Sequence, residues 1–544
     1  MNEAWIFYQE RGAQALWDRC LGYQTMGVER AMAMQHRLLN EHLTGFGTAT
    51  LGRYLLRDQR PSNYAELTEA VPLTEYEYYA DTLGERREEL LDAPPKAWVR
   101  TSGRTTGKHR WHPLSVRAFE EMKWPGMGLM LASMADEPGQ VRMRRGDRIL
   151  NMMAPPPYAS GTMFRLVEEA WPVRMFPESS QENDDLPFDV RAAKAFSSAV
   201  TEGIDFAVSL GSVLAGIGES FATRRAPGSI FSKMKNVRAF SRMGSAALRA
   251  RVAGRPMYPR DAWNLRGLAT GGMDSSLFRE RIREYWGRYP LEVFASTEGG
   301  IIAAQSWDYT TLTLIPSLNF FEFVAEDELA REMETPGYAP RTVLMDQLEA
   351  GKNYELVITN LHGGPLMRYR TGDIMRVTGL TNSTTGANLP QVVHYSRRTD
   401  LLEIGAFVRL TEQSIWRAVE QSGVPYVDWT VRKEVEGNEP VLHLRIEPRP
   451  DSAIPAEEAR ARINTQLGLV ESDWADMAEI AGLNPLRVTY LPRGTFDRYA
   501  QRKQSEGADL AHLKPVHMNP SEAVIDTLLE VAQAAEASPP EVRA

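Results

Sequence analysis

Thr101-Ser102-Gly103-Arg104-Thr105-Thr106-Gly107 is made of loop formers and follows directly on a strand-like run, Ala97-Trp98-Val99-Arg100, set off by Pro94-Pro95. A Gly/Thr/Ser loop after a strand offers unobstructed backbone N–H groups and hydroxyls, which suits phosphate oxygens. A plain surface turn has the same composition. The segment is not a Walker A loop: three residues rather than four separate Gly103 from Gly107, and His109 stands where Ser or Thr should follow Lys108. Downstream, from 148 to 330, apolar β-type runs alternate with helical ones: Arg148–Met153, Asp205–Leu210, Leu265–Ala269 and Leu291–Ala295. Strands spaced by helices predict an α/β architecture with a largely parallel sheet.

Upstream, residues 1 to about 60 read as helices, with Trp5, Tyr8, Leu16 and Leu21, then Met34, Leu38 and Leu39, at helical spacing. Beyond 340 the pattern changes to short β runs (Tyr354–Thr359, Ile374–Val377, Val392–Tyr395) separated by turns. Tyr426–Val435 and Val441–Glu447 predict a hairpin around Glu436-Gly437-Asn438, and Ala456–Gly468 a helix. The expected organisation is a large domain over residues 1–399, a small α+β domain over 400–534 bordered near Asp400, and a tail over 535–544.

The chain has 544 residues, 43% of them apolar and 24% charged, ordinary globular usage that supports a large core and excludes disordered, collagen-like and coiled-coil classes. The net charge of −9 gives no reason to expect a nucleic-acid partner. One cysteine, Cys20, excludes an internal disulfide and a thiolate metal cluster, so a reducing cytoplasm is the expected compartment. Glu3, Glu10 and Arg11 spoil a signal-peptide reading of the N-terminus. The uncharged stretches Ile149–Phe164 and Ala207–Gly218 fall short of the roughly 20 residues that cross a bilayer, so no membrane association is expected. Residues 221–260 carry ten Lys or Arg and no acid. That is either a solvated insertion or a patch for an anionic partner such as a carrier protein or a coenzyme phosphate.

Two further segments carry chemistry. Phe294-Ala295-Ser296-Thr297-Glu298-Gly299-Gly300 places an acid at the end of an apolar strand, where α/β sheets bind ligands; a helix N-cap made by Ser296 or Thr297 is the structural alternative. Met367-Arg368-Tyr369-Arg370-Thr371-Gly372-Asp373 offers Asp373 to sugar hydroxyls, or as a turn residue. The nine histidines are scattered; the pairs His109/His112 and His512/His517 lack carboxylates at metal-site spacing, and His112, before Pro113, reads as structural. There is no Gly-x-Ser-x-Gly elbow of a serine hydrolase.

The order of these segments, with Arg398-Thr399-Asp400 before a small C-terminal module, resembles the adenylate-forming superfamily from about Leu67 to Pro515. Arg145-Gly146-Asp147-Arg148 leading to Tyr158 and Gly161, and the Arg368–Asp373 string, look like phenylacetate–coenzyme A ligases. Thr101 through Pro113 follows without a gap the phosphate loop of the plant amido synthetases that conjugate auxin and jasmonate. Phe294–Glu298 and Phe320-Phe321-Glu322-Phe323 are similar to that family's segments, as is Gly494-Thr495-Phe496-Asp497 followed by Gly507 and Lys514-Pro515. Departures are Arg104 for a loop Thr, Arg110 for the loop Lys, Phe294 for a Tyr, and His512-Leu513 for Gln-Tyr. The last leaves Lys503 as an alternative to Lys514.

The resemblance implies a large domain with mixed and parallel sheets, and a small mobile C-terminal domain that rotates about a hinge near Asp400. It implies ATP-dependent activation of a carboxylic acid as an acyl-adenylate. Ser102, Gly103, Arg104, Thr105, Thr106, Gly107 and Arg110 would meet the phosphates beside Ser296 and Thr297, with Glu298 on Mg²⁺. Asp373 would hold the ribose, with Arg398 nearby, and Lys514 would bridge phosphate and acyl oxygen. Tyr158, Ser209, Leu210, Ser212, Val213, Thr270, Gly271 and Met273 would line a pocket for an apolar or aromatic acid, or are ordinary core. The expected acceptor is an amine or amino acid; coenzyme A is the second choice, and a degenerate binding protein the third.

Overall fold

The run Ala97–Arg100 belongs to a longer strand, β1 (Pro95–Thr105), paired antiparallel with β2 (Lys108–Ser115). The computed structural model describes residues 2–105, 108–223, 237–271, 275–335, 337–397, 402–404, 408–436, 439–450, 452–471, 474, 485–506 and 514–537. It divides into two units: Met1–Thr371 with Met375–His394, and Gly372–Ile374 with Tyr395–Ala544.

The first unit is organised by strands β3 (Arg148–Asn151), β4 (Arg174–Phe176), β5 (Phe206–Leu210), β6 (Gly267–Gly271), β7 (Leu291–Ser296) and β8 (Gly300–Ala304). They continue as β9 (Leu312–Leu314), β10 (Asn319–Ala325), β11 (Thr342–Val343), β12 (Asn353–Asn360), β13 (Tyr369–Gly379) and β14 (Gln391–Arg397). These twelve form one sheet in the order β11-β10-β12-β13-β14-β9-β8-β7-β6-β5-β3-β4. The sheet is mixed, whereas alternation of strands and helices alone predicts a largely parallel one. Pairs among β4, β3, β5, β6 and β7 are parallel, because helices supply the crossovers. From β7 to β10 the connections carry no helix, and β7/β8, β8/β9 and β10/β12 are antiparallel.

Both faces of the parallel part are covered, which is why its strands read as continuous apolar runs. Ile149, Phe206, Val208 and Ala269 point to one face and pack on the helices Glu3–Leu21, Val116–Met134 and Ala159–Ala170. Leu150, Ala207 and Leu268, one residue out of phase, pack on Gly211–Ala222, Val237–Val252 and Ser275–Trp286. Burying side chains such as these contributes about 1.5–3 kcal/mol each. The N-terminal helices cover the antiparallel part: Leu38, Leu39 and Leu43 of Val28–Gly45 share a core with Phe321, Phe323, Leu356 and Ile358.

Part of the basic stretch, residues 224–236, lies outside the described residues. The rest is a structured helix, Val237–Val252, that buries Ala239, Met243, Ala246 and Ala250. Arg249 donates to the Asp261 carbonyl at 3.0 Å, and Arg255 pairs with the Asp261 carboxylate at 2.8 Å. Both therefore serve the fold.

The second unit contains a small antiparallel pair, β15 (Leu402–Ile404) and β16 (Val408–Leu410). Its main sheet joins β17 (Tyr426–Glu436) and β18 (Glu439–Pro448) as a hairpin, with β19 (Leu486–Tyr490) parallel to β18. Helices Glu412–Gln421, Ala456–Val470, Thr495–Ser505 and Glu522–Ala537 complete it, the last reaching three residues into the stretch expected as a tail. The hinge position Asp400 lies outside the described residues. Among the described residues, no helix is long and apolar enough to cross a membrane.

Candidate active site

Glu298 sits in the tight turn that joins β7 to β8, and the antiparallel pairing of those strands leaves no helix for Ser296 or Thr297 to cap. The turn is fixed by its backbone. Ser296 Oγ accepts the Gly299 N–H at 3.0 Å, Asn360 Nδ2 donates to the Glu298 carbonyl at 2.9 Å, and Asn319 Nδ2 donates to the Gly299 carbonyl at 2.7 Å. Asn360 also donates to Asn319 Oδ1 at 3.1 Å, so one amide pair from β10 and β12 clamps the turn. Gly300 has φ +66°, a conformation that favours glycine.

The Glu298 carboxylate is 16% exposed, and no hydrogen bond reaches it among the described residues. His112 Nε2 stands 3.9 Å from Glu298 Oε1. That imidazole is almost wholly buried, and neither ring nitrogen has a hydrogen-bond partner among the described residues. Burial lowers its pKa, against the pull of Glu298 and with the push of Arg110, so the ring is neutral near pH 7. Tyr76 and Tyr369 flank it at 5.5 and 6.4 Å. Burial, aided by the Glu298 charge, holds the Tyr369 hydroxyl well above its ordinary value. The Arg110 guanidinium lies over the Tyr76 ring at 4.9 Å and 3.6 Å from Glu77 Oε1. His112, expected from its place before Pro113 to be structural, is buried beside Glu298. The available signal was its place one residue before Pro113 in β2; its register opposite buried Val99 emerges only with the hairpin.

The backbone of Ser102, Gly103, Arg104 and Thr105 lies in β1, not in a free loop, and Arg104 and Thr105 pair with His109 and Lys108 after a register shift. A ladder partner supplied by β2 overrides the loop composition of this segment. Side chains of residues 101–105, and Thr106, Gly107, Met273 and Arg398 altogether, lie outside the described residues, as does the Ser212 side chain.

The remaining pocket residues gather at the carboxyl ends of the parallel strands. Ser209 and Leu210 of β5 stand opposite Thr270 and Gly271 of β6, and Val213 lies in the following helix. The Tyr158 hydroxyl accepts from Arg100 Nη2 at 3.1 Å, with the guanidinium over its ring. A separate, open pocket lies against Ser296–Gly300 and is walled by Val99, Met122, Ala159, Met163, Leu166 and Leu318. None of the residues expected to line the acyl site lies on its wall; its helical wall, Ala159–Leu166, begins directly after Tyr158.

Asp373 is a buried strand residue of β13, directly after Gly372 with φ +76°. The two arginines before it are occupied: Arg368 pairs with buried Glu322 at 2.9 Å, and Arg370 with Glu355 at 2.5 Å and Glu332 at 2.6 Å. The Phe-Glu-Phe segment and the Arg-Tyr-Arg string therefore meet in the buried Arg368–Glu322 pair, and breaking it by removing one partner would leave an uncompensated buried charge.

In the C-terminal unit, the Gly494-Thr495-Phe496 segment starts a helix whose first amides are taken up by Glu447, at 2.6 Å from Gly494 N and 2.9 Å from Phe496 N. Lys503 lies on that helix and pairs with Glu506 at 2.8 Å, one surface turn away. Lys514 is 67% exposed, with its Nζ 2.7 Å from the carboxylate of buried Asp428.

Residues 312–392 match the GH3 family central domain. The jasmonoyl–L-amino acid synthetase GH3.5 of Oryza sativa subsp. japonica is 26% identical over 289 residues, 48% of this chain and 47% of that protein. The indole-3-acetic acid-amido synthetase GH3.3 of Arabidopsis thaliana is 27% identical over 214 residues, 37% of this chain and 33% of that protein. The chain spans about half the length, or less, of the curated relatives it matches. Among solved structures, the AtGH3.15 acyl acid amido synthetase in complex with 2,4-DB superposes with TM-score 0.68 at 15% identity over 95% of both chains. A 2-hydroxyisobutyryl-CoA ligase in the postadenylation state superposes with TM-score 0.62 at 14% identity over 94% of both. Residues 312–392 thus match the GH3 family central domain, in a chain that shares its fold with the acyl acid amido synthetase and 2-hydroxyisobutyryl-CoA ligase structures and is similar in sequence, over part of its length, to the plant amido synthetases.

Proposed function

We propose that this chain activates a carboxylic acid with ATP as an acyl-adenylate, releasing pyrophosphate, and passes the acyl group to an amine or amino acid to form an amide. A carboxylate is a poor acyl donor because its leaving group would be oxide; adenylation replaces oxide by AMP. The observation that carries the reading is the Glu298 turn, whose backbone is held at the end of a strand and whose carboxylate takes no hydrogen bond among the described residues, beside an apolar pocket.

Magnesium is a hard cation that takes one or two carboxylate oxygens together with phosphate oxygens and water. Glu298, a partly exposed carboxylate that takes no hydrogen bond among the described residues, fits this mode. When bound with ATP, the ion neutralises charge on the phosphates. The chain's own parts would do the rest. The β1–β2 hairpin would present backbone amides to phosphate. Asp373 would accept from ribose hydroxyls. Lys514 would stabilise charge on phosphate and acyl oxygens. The apolar side chains of Val99, Met122, Met163, Leu166 and Leu318 on the pocket wall suit the apolar part of a carboxylic acid. The preference for an amine acceptor rests on similarity to synthetases named for jasmonoyl and indole-3-acetic acid conjugation. The alternative acceptor is coenzyme A, giving a thioester, supported by the resemblance of the Arg368–Asp373 string to phenylacetate–coenzyme A ligases.

The test is pyrophosphate release with a panel of apolar and aromatic acids, followed by addition of amino acids or coenzyme A. Acid-dependent release and amide formation support the reading. Release independent of any acid overturns it, and thioester formation in place of amide overturns its second half.

A further inference from the structure

Glu412, His517, Asp428 and Lys514 form one line of alternating charge in the C-terminal unit. Glu412 is the first residue of the helix Glu412–Gln421, and its Oε1 lies 2.6 Å from His517 Nδ1. The other ring nitrogen, Nε2, lies 2.9 Å from Asp428 Oδ1 on β17, whose second oxygen is 2.7 Å from Lys514 Nζ. The His517 ring stacks on Trp429 at 4.3 Å and meets the edge of Trp416 at 4.6 Å. The backbone of the segment is tied to the same strand. Val431 N donates to the His517 carbonyl at 2.7 Å, Asn519 N donates to the Val431 carbonyl at 2.8 Å, and Thr430 Oγ1 donates to the Val516 carbonyl at 2.8 Å.

A neutral imidazole has one N–H and would turn a lone pair toward one of its two carboxylates; only the imidazolium donates to both. Burial works against that charged form, but the hydrogen bonds and charges of Asp428 and Glu412 outweigh it and push His517 up to about 9. Asp428 is almost fully buried, yet His517 and Lys514 together hold its carboxyl well below the ordinary range. With Oδ1 committed to His517, Asp428 offers Lys514 one oxygen in one direction. A flexible four-carbon lysine stem otherwise presents its ammonium in many poses.

We propose that His517 is a positioning residue for Lys514: backed by Glu412, it orients Asp428, and Asp428 sets the direction in which the Lys514 ammonium is presented. The proposal rests on the reading of Lys514 as the lysine of the adenylation step. It gives Glu412, His517 and Asp428 a role in that step with no contact to substrate.

The experiment uses the intact chain with Lys514→Ala, His517→Gln, Asp428→Asn and the double variant His517→Gln/Lys514→Ala. Acid-dependent pyrophosphate release, consumption of supplied acyl-adenylate, and thermal unfolding are measured on each. His517→Gln is expected to lower kcat of pyrophosphate release about 10- to 100-fold, the scale of a lost charged hydrogen bond, with KM for ATP and adenylate consumption unchanged. Asp428→Asn should reproduce that loss, which keeps the test open if one variant folds poorly. In the Lys514→Ala background, His517→Gln should cost nothing more, because a residue acting through the lysine has nothing left to position. Multiplying losses in the double variant, or equal losses in both half-reactions, overturn the positioning role and leave Lys514 in place. Full pyrophosphate release by Lys514→Ala overturns the reading of the lysine itself, and the proposal with it.

Discussion

The Glu298 turn and the Lys514 corner solve opposite problems. At Glu298 the Gly299 N–H and the Glu298 and Gly299 carbonyls are tied down while the carboxylate takes no hydrogen bond among the described residues. At Lys514 the functional atom is itself engaged, resting on a buried carboxylate that a buried imidazolium also holds. An acid that waits for a hard cation is best left unpaired, because any internal partner would have to be displaced. A long cationic side chain that must deliver charge in one direction gains from a partner that limits its rotamers. Rigidity therefore comes from neutral amide clamps in one place and from charge alternation in the other, and the two should respond differently to mutation and to pH.

The comparison breaks most visibly at Glu298 itself. Glu298→Gln keeps size and turn geometry, so unfolding temperature should hold while acid-dependent pyrophosphate release falls by roughly three orders of magnitude, as expected from losing several kcal/mol of charge stabilisation. Normal magnesium-dependent turnover would reduce the glutamate to a turn residue. Lys514→Ala is the next largest effect. Adenylation should drop by roughly two to three orders of magnitude while a chemically supplied acyl-adenylate is still consumed; Lys503→Ala, which breaks only a surface pair with Glu506, should change neither step. Third, Asn360→Ala removes the clamp on the Glu298 carbonyl and leaves the carboxylate in place. Stability should fall by about 1–3 kcal/mol and pyrophosphate release by about tenfold, and an unchanged rate would show that the turn holds itself.

The smallest effect separates the two regions by pH. His517 is raised in the folded chain, so its contribution is fully present below the ordinary histidine value of 6.5 and is lost as pH rises through about 9. The C-terminal unit should therefore unfold at lower temperature at pH 10 than at pH 7, and His517→Gln should flatten that dependence. Asp428 has the opposite sign: its contribution is present above the ordinary carboxylate range and is lost in strong acid. No such alkaline loss should come from the Glu298 turn, whose amide clamps do not titrate.

Much of the frame was legible in the chain. Alternate residues of the strand runs near 149, 207 and 268 are apolar on both phases, and both phases are buried, because helices cover both faces. The Gly-Thr-Phe segment was legible as a motif, and its reason is the capture of two helix amides by Glu447. The hairpin identity of residues 101–105 was not legible, because loop composition is local while the ladder partner lies beyond Thr106-Gly107. Nor was the fate of Arg368 and Arg370. A string that resembles a ligand-contacting motif gives no sign that Glu322, Glu332 and Glu355 will take its charges.

By itself the sequence determined the order of the segments that carry chemistry, the α/β class, and the residue types at each position, since periodicity and spacing are properties of neighbours along the chain. Only the tertiary structure decided which partners those residues have. His517 finds Asp428 across 89 residues and Asn360 finds the Glu298 carbonyl across 62, and such pairings depend on how strands register and pack. Whether a charged atom is open, as at Glu298, or already held, as at Lys514, is set by those distant partners, because burial makes the cost of an unpaired charge depend on everything that surrounds it.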